Sequence, residues 1–436
     1  MNEISIPKLS SLPFDSLEGV QAGGPAGAIP FVYGHPDPDL LPVDKIIAAT
    51  ERALRTRGRL ALQYGTEQGY GPLLDYLIGK IERDEGLRIS RANIMLCAGA
   101  AQGLETVARL FAHPGDVVLV EAPTYHEAIA TLRDHPLELR QVPVDEHGLI
   151  IEALAEMLEG LSVIGQRIAF LYTIPTFQNP AGVTLTVQRR EALVKLAAEY
   201  QLLLVEDDVY RDLCYEGRVP SSLFELAGGR GVIRLGSFSK ILAPGLRLGW
   251  IIAEPEIIQR IVGCGLKGNE GGTNPFVAHV VAAFCQEGWL EPHVARLVER
   301  YRSRRDALLA ALEREMPEGV HWTRPAGGFF VWLTLPEPLD AEKVLAEATE
   351  RGVVFAPGVQ FFAEGGGCRN LRLPFSFLSE AQMAEGVRIL AEVIKEEGNR
   401  GAREQGRPKA QSEQNRPFDQ IRRQRDVEST LERLRD

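Results

Sequence analysis

Short apolar runs, rich in β-branched residues or leucine, alternate with stretches of helical spacing through the middle of the chain. Ile94–Cys97, Val117–Val120, Ile168–Tyr172, Leu202–Val205, Val232–Leu235 and Leu248–Ala253 read as strands. Several lack polar alternation, as strands buried on both faces do. Between them, Gln102–Phe111, Val187–Tyr200 and Glu256–Leu266 read as amphipathic helices. The alternation predicts an α/β fold, a mostly parallel sheet flanked by helices in a large domain. From about Trp289 the pattern changes. Glu291–Glu315 is a long, charge-laced helical run, suited to linking a large domain to a smaller α+β one. Gly327–Leu335 and Gly352–Ala356 predict strands of that smaller domain, and Ser379–Lys395 its closing helix. Ahead of Pro42 the chain is rich in glycine and proline, which argues against a regular element and for an extended arm packed on the second domain. The expected division is an arm over 1–45, a large domain over 46–288, a small domain over 289–398 and a tail over 399–436, the small domain drawing on both termini.

Composition narrows the classes. A chain of 436 residues, 45% apolar and 25% charged, has room for two domains and a sizeable core. A net charge of −11 speaks against nucleic acid as a partner. Five cysteines, odd in number and without a CxxC spacing, fit reduced thiols rather than disulfides or a zinc site, so no metal is expected. The N-terminus lacks the apolar core of a signal peptide, and no apolar run approaches the roughly 18 residues of a membrane span. A cytoplasmic protein with no membrane partner is expected. From Arg400 onward, ten basic and seven acidic residues accompany few apolar ones, so a disordered tail is expected, with room for a short helix at Val427–Leu434.

The chemistry collects where the strands end. In open parallel sheets, ligands bind beyond the carboxyl ends of the strands. After Ile94–Cys97 comes Ala98-Gly99-Ala100-Ala101-Gln102-Gly103, and after Val117–Val120 comes Glu121-Ala122-Pro123-Thr124-Tyr125. Ile168–Tyr172 leads to Gln178-Asn179-Pro180, and Leu202–Val205 to Glu206-Asp207-Asp208-Val209-Tyr210. Val232–Leu235 delivers Gly236-Ser237-Phe238-Ser239-Lys240. The small-residue turn before a helix bares backbone N–H groups to an anion such as phosphate, although plain capping explains it as well. Ser237, Ser239 and the planar fork of Arg247 can hold phosphate oxygens, or serve as turn hydroxyls and a surface ion pair. Lys240 precedes apolar Ile241-Leu242, where partial desolvation would make its amine nucleophilic. Alone it reads as a surface lysine; in this company it does not.

The run Gly236-Ser237-Phe238-Ser239-Lys240-Ile241-Leu242-Ala243-Pro244-Gly245-Leu246-Arg247-Leu248-Gly249-Trp250 resembles the lysine signature of fold-type-I, class I/II aminotransferases. The resemblance is nearest to the 2-aminoadipate/kynurenine aminotransferase group and to the enzyme-like half of MocR regulators. Leu62-Gln63-Tyr64-Gly65, the Glu121, Gln178 and Glu206 segments, and Asn370-Leu371-Arg372-Leu373 follow in the family's order. What this implies is a homodimeric aminotransferase that uses pyridoxal 5′-phosphate and moves an amino group between an amino acid and a 2-oxo acid by a ping-pong mechanism. Lys240 would hold the cofactor as a Schiff base and shuttle the proton. Asp207 would pair with the pyridine nitrogen, its alternative being a helix cap. Asn179 and Tyr210 would bond the phenolic oxygen, and Tyr125 would stack on the ring. Ser237, Ser239, Arg247 and the turn at Ala100, Ala101 and Gln102 would hold the phosphate, with Tyr64 reaching the neighbouring subunit's phosphate. Arg372 would clamp the substrate carboxylate, and Gly34 would let backbone approach the substrate together with Asn179.

Departures fall near the substrate. Tyr33 and His35 replace the glycine and aliphatic residue usual in such relatives, and Gly271-Gly272-Thr273-Asn274-Pro275 is unusual too. Ala100-Ala101 stands where a hydroxyl or glutamine is common. Two rival readings remain at this point: C–S β-lyase chemistry on the same cofactor, and a non-catalytic MocR-like sensor, for which the residues before the arm are too few to form a DNA reader.

Overall fold

The computed structural model describes residues 27–270 and 272–405. Its strands are β1 (Ile29–Phe31), β2 (Ile94–Cys97), β3 (Val117–Ala122), β4 (Glu138–Asp145), β5 (Gly148–Leu149), β6 (Ile168–Thr173) and β7 (Leu204–Asp207). They continue with β8 (Val232–Ser237), β9 (Gly249–Ile252), β10 (His321–Trp322), β11 (Phe330–Thr334), β12 (Val353–Pro357) and β13 (Asn370–Pro374). An eight-stranded sheet runs β2-β9-β8-β7-β6-β3-β4-β5. Its centre, β8 to β4, is parallel, whereas β9 lies antiparallel between β2 and β8. The fold class is the expected one: this sheet is mostly parallel and flanked by helices.

All six expected strands of the sheet are present, Ile94–Cys97 as expected and the other five with shifted ends. β7 extends through Glu206 and Asp207, and β8 through Gly236 and Ser237. These ends escaped the apolar pattern because they are polar or small yet buried, Glu206 being satisfied there by the N–H groups of Leu223 and Phe224. Strand β4 was missed; its mixed pattern follows from a position near the sheet edge, where one face is half exposed. Glu256–Leu266 divides into two helices, Pro255–Val262 and Gly265–Glu270, broken at Gly263.

The second sheet runs β1-β12-β13-β11-β10. Here the reading of the arm needs correction, because Ile29–Phe31 is a regular strand, parallel to β12. Pro30 is tolerated since β1 is an edge strand, where a missing N–H breaks no ladder. The arm is held further along by Asp37, whose carboxylate accepts from Arg304 Nη2 at 2.6 Å and whose N–H donates to the Tyr301 hydroxyl. The closing helix spans Glu380–Gln405, ten residues beyond the expected Lys395 and into the segment assigned to the tail. Arg351 donates to Glu396 and Arg400 to Glu347, both at 3.0 Å, tying its extension to the helix Ala341–Glu350. Val427–Leu434 lies outside the described residues. All five cysteines are free thiols. Among the described residues, no helix is long and apolar enough to cross a membrane.

Candidate active site

A cavity of about 240 Å³ opens at the carboxyl ends of the parallel strands. It gathers Gly34, Ala100, Ala101, Tyr125, Asn179, Asp207, Tyr210, Ser237, Ser239, Lys240, Arg247 and Arg372, nearly all the residues singled out in the sequence.

One wall is the start of the helix Ala100–Phe111. Gly99 caps it without a side-chain acceptor, leaving the first N–H groups for another partner. Gly99 has φ +89°, and a Cβ there would stand 2.9 Å from the Arg247 guanidinium, so only glycine serves. Ser237 and Ser239 are buried beside this turn, and Arg247 Nη1 donates to Ser239 Oγ at 3.4 Å. Gln102 is a correction: its side chain accepts from Ala98 N–H at 3.1 Å and donates to Thr106 at 2.9 Å, so it is spent within its own helix and does not line the cavity.

Three adjacent acids at the end of β7 divide their tasks. Glu206 accepts the N–H groups of Leu223 and Phe224, and Asp208 accepts from Arg234, which also grips Glu85. Asp207 alone of the three lines the cavity. Its Oδ2 accepts from Tyr172 Oη at 2.7 Å, while Oδ1 is buried without a hydrogen-bond partner. As the last residue of a strand it is not a helix cap. Burial raises its pKa to about 6, against the opposing bond from Tyr172.

Lys240 Nζ donates to the Gly34 carbonyl at 3.3 Å and lies 5.8 Å from the centre of the Phe329 ring. Burial lowers its pKa to about 8, with the Glu127 carboxylate pulling the other way. Gly34 is required by contact: a Cβ there would meet Phe330 Cζ at 2.2 Å. Arg372 is 3% exposed, its guanidinium carbon 4.3 and 4.8 Å from the centres of the Phe330 and Phe361 rings. It donates to Asn179 Oδ1 at 2.8 Å and to the Val32 carbonyl at 2.6 Å, leaving Nε buried and unbonded. Burial lowers its pKa to about 10, still cationic at neutral pH.

Sequence reasoning missed Tyr172, His126, Glu127, Phe330 and Phe361. A tyrosine at the end of a candidate strand was the available signal for the first, and adjacency to Tyr125 for His126 and Glu127. Tyr64 is 74% exposed and outside its own chain's cavity. The segment expected beside the substrate, around Thr273, packs elsewhere: Thr273 accepts from Lys267 at 2.7 Å and does not line the cavity.

The family model for class I and II aminotransferases matches residues 33–390. An aromatic-amino-acid aminotransferase of Thermococcus litoralis is 41% identical over 364 residues, 84% of this chain and 87% of that one. A 2-aminoadipate transaminase of Thermus thermophilus is 40% identical, covering 85% and 90%. Among solved structures, a Pyrococcus horikoshii kynurenine aminotransferase in complex with PMP superposes with a TM-score of 0.81 at 40% identity, covering 85% of this chain and 92% of that one. The chain belongs to the class I and II aminotransferases.

Proposed function

We propose that the cavity binds pyridoxal 5′-phosphate on Lys240 and transfers an amino group between an amino acid and a 2-oxo acid in two half-reactions. The observation that carries this is Asp207 Oδ1, a buried carboxylate oxygen with no partner, in one cavity with the depressed amine of Lys240. An unmet buried acceptor is costly, and a protonated pyridine nitrogen would satisfy it. The uncapped helix start, Ser237, Ser239 and Arg247 suit the cofactor's phosphate. The residues present therefore fit the group.

When bound, the cofactor draws electron density from the substrate α-carbon and stores the amino group between half-reactions. Lys240 Nζ would accept and give back the substrate α-proton, a task that suits an amine whose pKa is lowered to about 8. Tyr172 holds Asp207 in place, and Asn179 and Tyr210 would bond the phenolic oxygen. Tyr125 would cover the ring. Arg372, fixed between two rings, meets the substrate carboxylate already oriented, so little of its side-chain freedom is lost on binding. The test is borohydride reduction of the holoenzyme followed by peptide mapping. Cofactor fixed on the Lys240 peptide is expected, and cofactor fixed equally in Lys240→Ala would end the assignment.

The active unit in this reading is a homodimer. Tyr64 and Leu62 are strongly exposed and follow a helix, Val43–Ala61, that also exposes Val43, Ile47 and Leu60. A neighbouring subunit would cover them, with Tyr64 serving its phosphate. Residues 27–45 of the arm and small domain 289–398 would move together against large domain 46–288, and the free thiols suit a cytoplasmic setting.

A further inference from the structure

The names of the relatives differ in the amino acid they act on, and the substrate half of this cavity carries a charge that bears on that choice. Arg247 is engaged with the phosphate turn, Lys240 with the cofactor and Arg372 with the α-carboxylate. Those three are the lysines and arginines lining the cavity among the described residues. The polar residues left near a substrate side chain include Tyr33, His35, His126 and Glu127. Tyr33 and His35 stack with centroids 5.0 Å apart and planes 5° from parallel, a flat wall. Burial lowers the pKa of both imidazoles below the usual histidine value, so they stand neutral at pH 7. Among the described residues lining the cavity, Glu127 is then the charge left unassigned. No lysine or arginine among the described residues forms an ion pair with it: its side chain contacts His126 Nε2 at 3.5 Å and is 54% exposed. It also bonds the Tyr125 hydroxyl and is felt electrostatically by Lys240, Arg372 and Tyr210. Residues 1–26, which precede the wall, carry Lys8 as their one side-chain cation against Glu3, Asp15 and Glu18.

We infer that Glu127 selects amino donors whose side chain ends in an N–H or O–H donor and turns away those ending in a carboxylate. The inference rests on the aminotransferase reading above. Two like charges about 6 Å apart, at an effective dielectric near 20, change an equilibrium by about two orders of magnitude. Half-exposure of Glu127 reduces this, so an effect of about tenfold is expected. Glu127 also lies in the first turn of the helix His126–Arg133, where a carboxylate is favoured by the helix dipole. A purely structural role there would leave substrate choice untouched.

The test uses the holoenzyme in single-turnover half-reactions followed by cofactor absorbance. L-glutamate is compared with its neutral isostere L-glutamine, and L-tyrosine with L-phenylalanine. In Glu127→Gln the glutamate-to-glutamine ratio of kcat/KM should rise about tenfold, and the tyrosine-to-phenylalanine ratio should fall. Glu127→Asp, which keeps the charge, should leave the glutamate ratio within about threefold of the parent. Unchanged ratios in an active Glu127→Gln enzyme, with or without a lower Tm, overturn the role of Glu127 alone. No absorbance change with any donor in the parent enzyme overturns the aminotransferase reading, and this inference with it.

Discussion

The two halves of the cavity are built differently. Around Asp207 and Ser237, side chains are buried and held by neighbours: Tyr172 bonds Asp207, Arg234 pins adjacent Asp208, and Arg247, exposed at the rim, is held by Ser239 and the Ala98 carbonyl. Around Tyr33, His35, His126 and Glu127, side chains are partly or largely exposed and hold one another by ring contacts and one long polar contact. A site that must bind the same cofactor in every turnover gains from groups fixed in advance. A site that reads a variable side chain needs charge and shape but little rigidity. Within one cavity, constancy of ligand is matched by density of bonding.

The contrast can be broken by substitution, starting in the cofactor half. Lys240→Ala should lower the rate of the half-reaction by roughly 10⁴-fold while the fold survives, checked by stopped-flow absorbance and circular dichroism. At the junction of the halves, Arg372→Lys should lower kcat/KM by about a hundredfold for every donor alike, since the fork is lost but not the charge. Donor-dependent losses would show that Arg372 reads side chains as well.

Asp207 supplies a test through stability. Its folded pKa, about 6, is raised above the ordinary carboxylate value. The stabilisation that comes from holding a proton is therefore complete below the unfolded pKa and is lost as pH rises through about 6. Above that, cofactor-free protein bears a cost of roughly 3 kcal/mol from this one group. Asp207→Asn should consequently raise the Tm of cofactor-free protein at pH 7.5, give no gain at pH 4, and lower the Tm of the loaded protein at pH 7.5. The same order of Tm with and without cofactor would show that the orphan oxygen does not await a pyridine nitrogen. The smallest effect belongs to the other half. His35→Ala should shift relative donor preference by about threefold to tenfold and leave cofactor affinity within twofold, measured by titrating cofactor into the stripped protein.

The same contrast explains what was legible in the sequence. Lys240, Asp207, Asn179, Tyr210 and Arg247 follow successive strands, and parallel strands must end on one edge, so order along the chain became proximity in space. Arg372 was readable from its motif, although its bonds to Asn179 and Val32 link residues 193 and 340 positions apart, which no local pattern contains. Gln102 misled because a polar residue at a helix start can face outward or back along its own turn, and only packing decides. β1 was misread because glycine and proline content marks a poor strand interior and says nothing of an edge. Glu127 passed unnoticed because an acid in the first turn of a helix already has a sufficient reason to be there.

The backbone at Val32 and Gly34 receives bonds from Arg372 and Lys240 through carbonyl oxygens, not through side chains. Position 33 between them, and position 35 beyond, can therefore change identity without disturbing either cation. Such a segment is a keyboard on a fixed frame. Descendants of one ancestral enzyme could exchange these two letters and acquire a different diet of amino acids, each step leaving the chemical machinery intact.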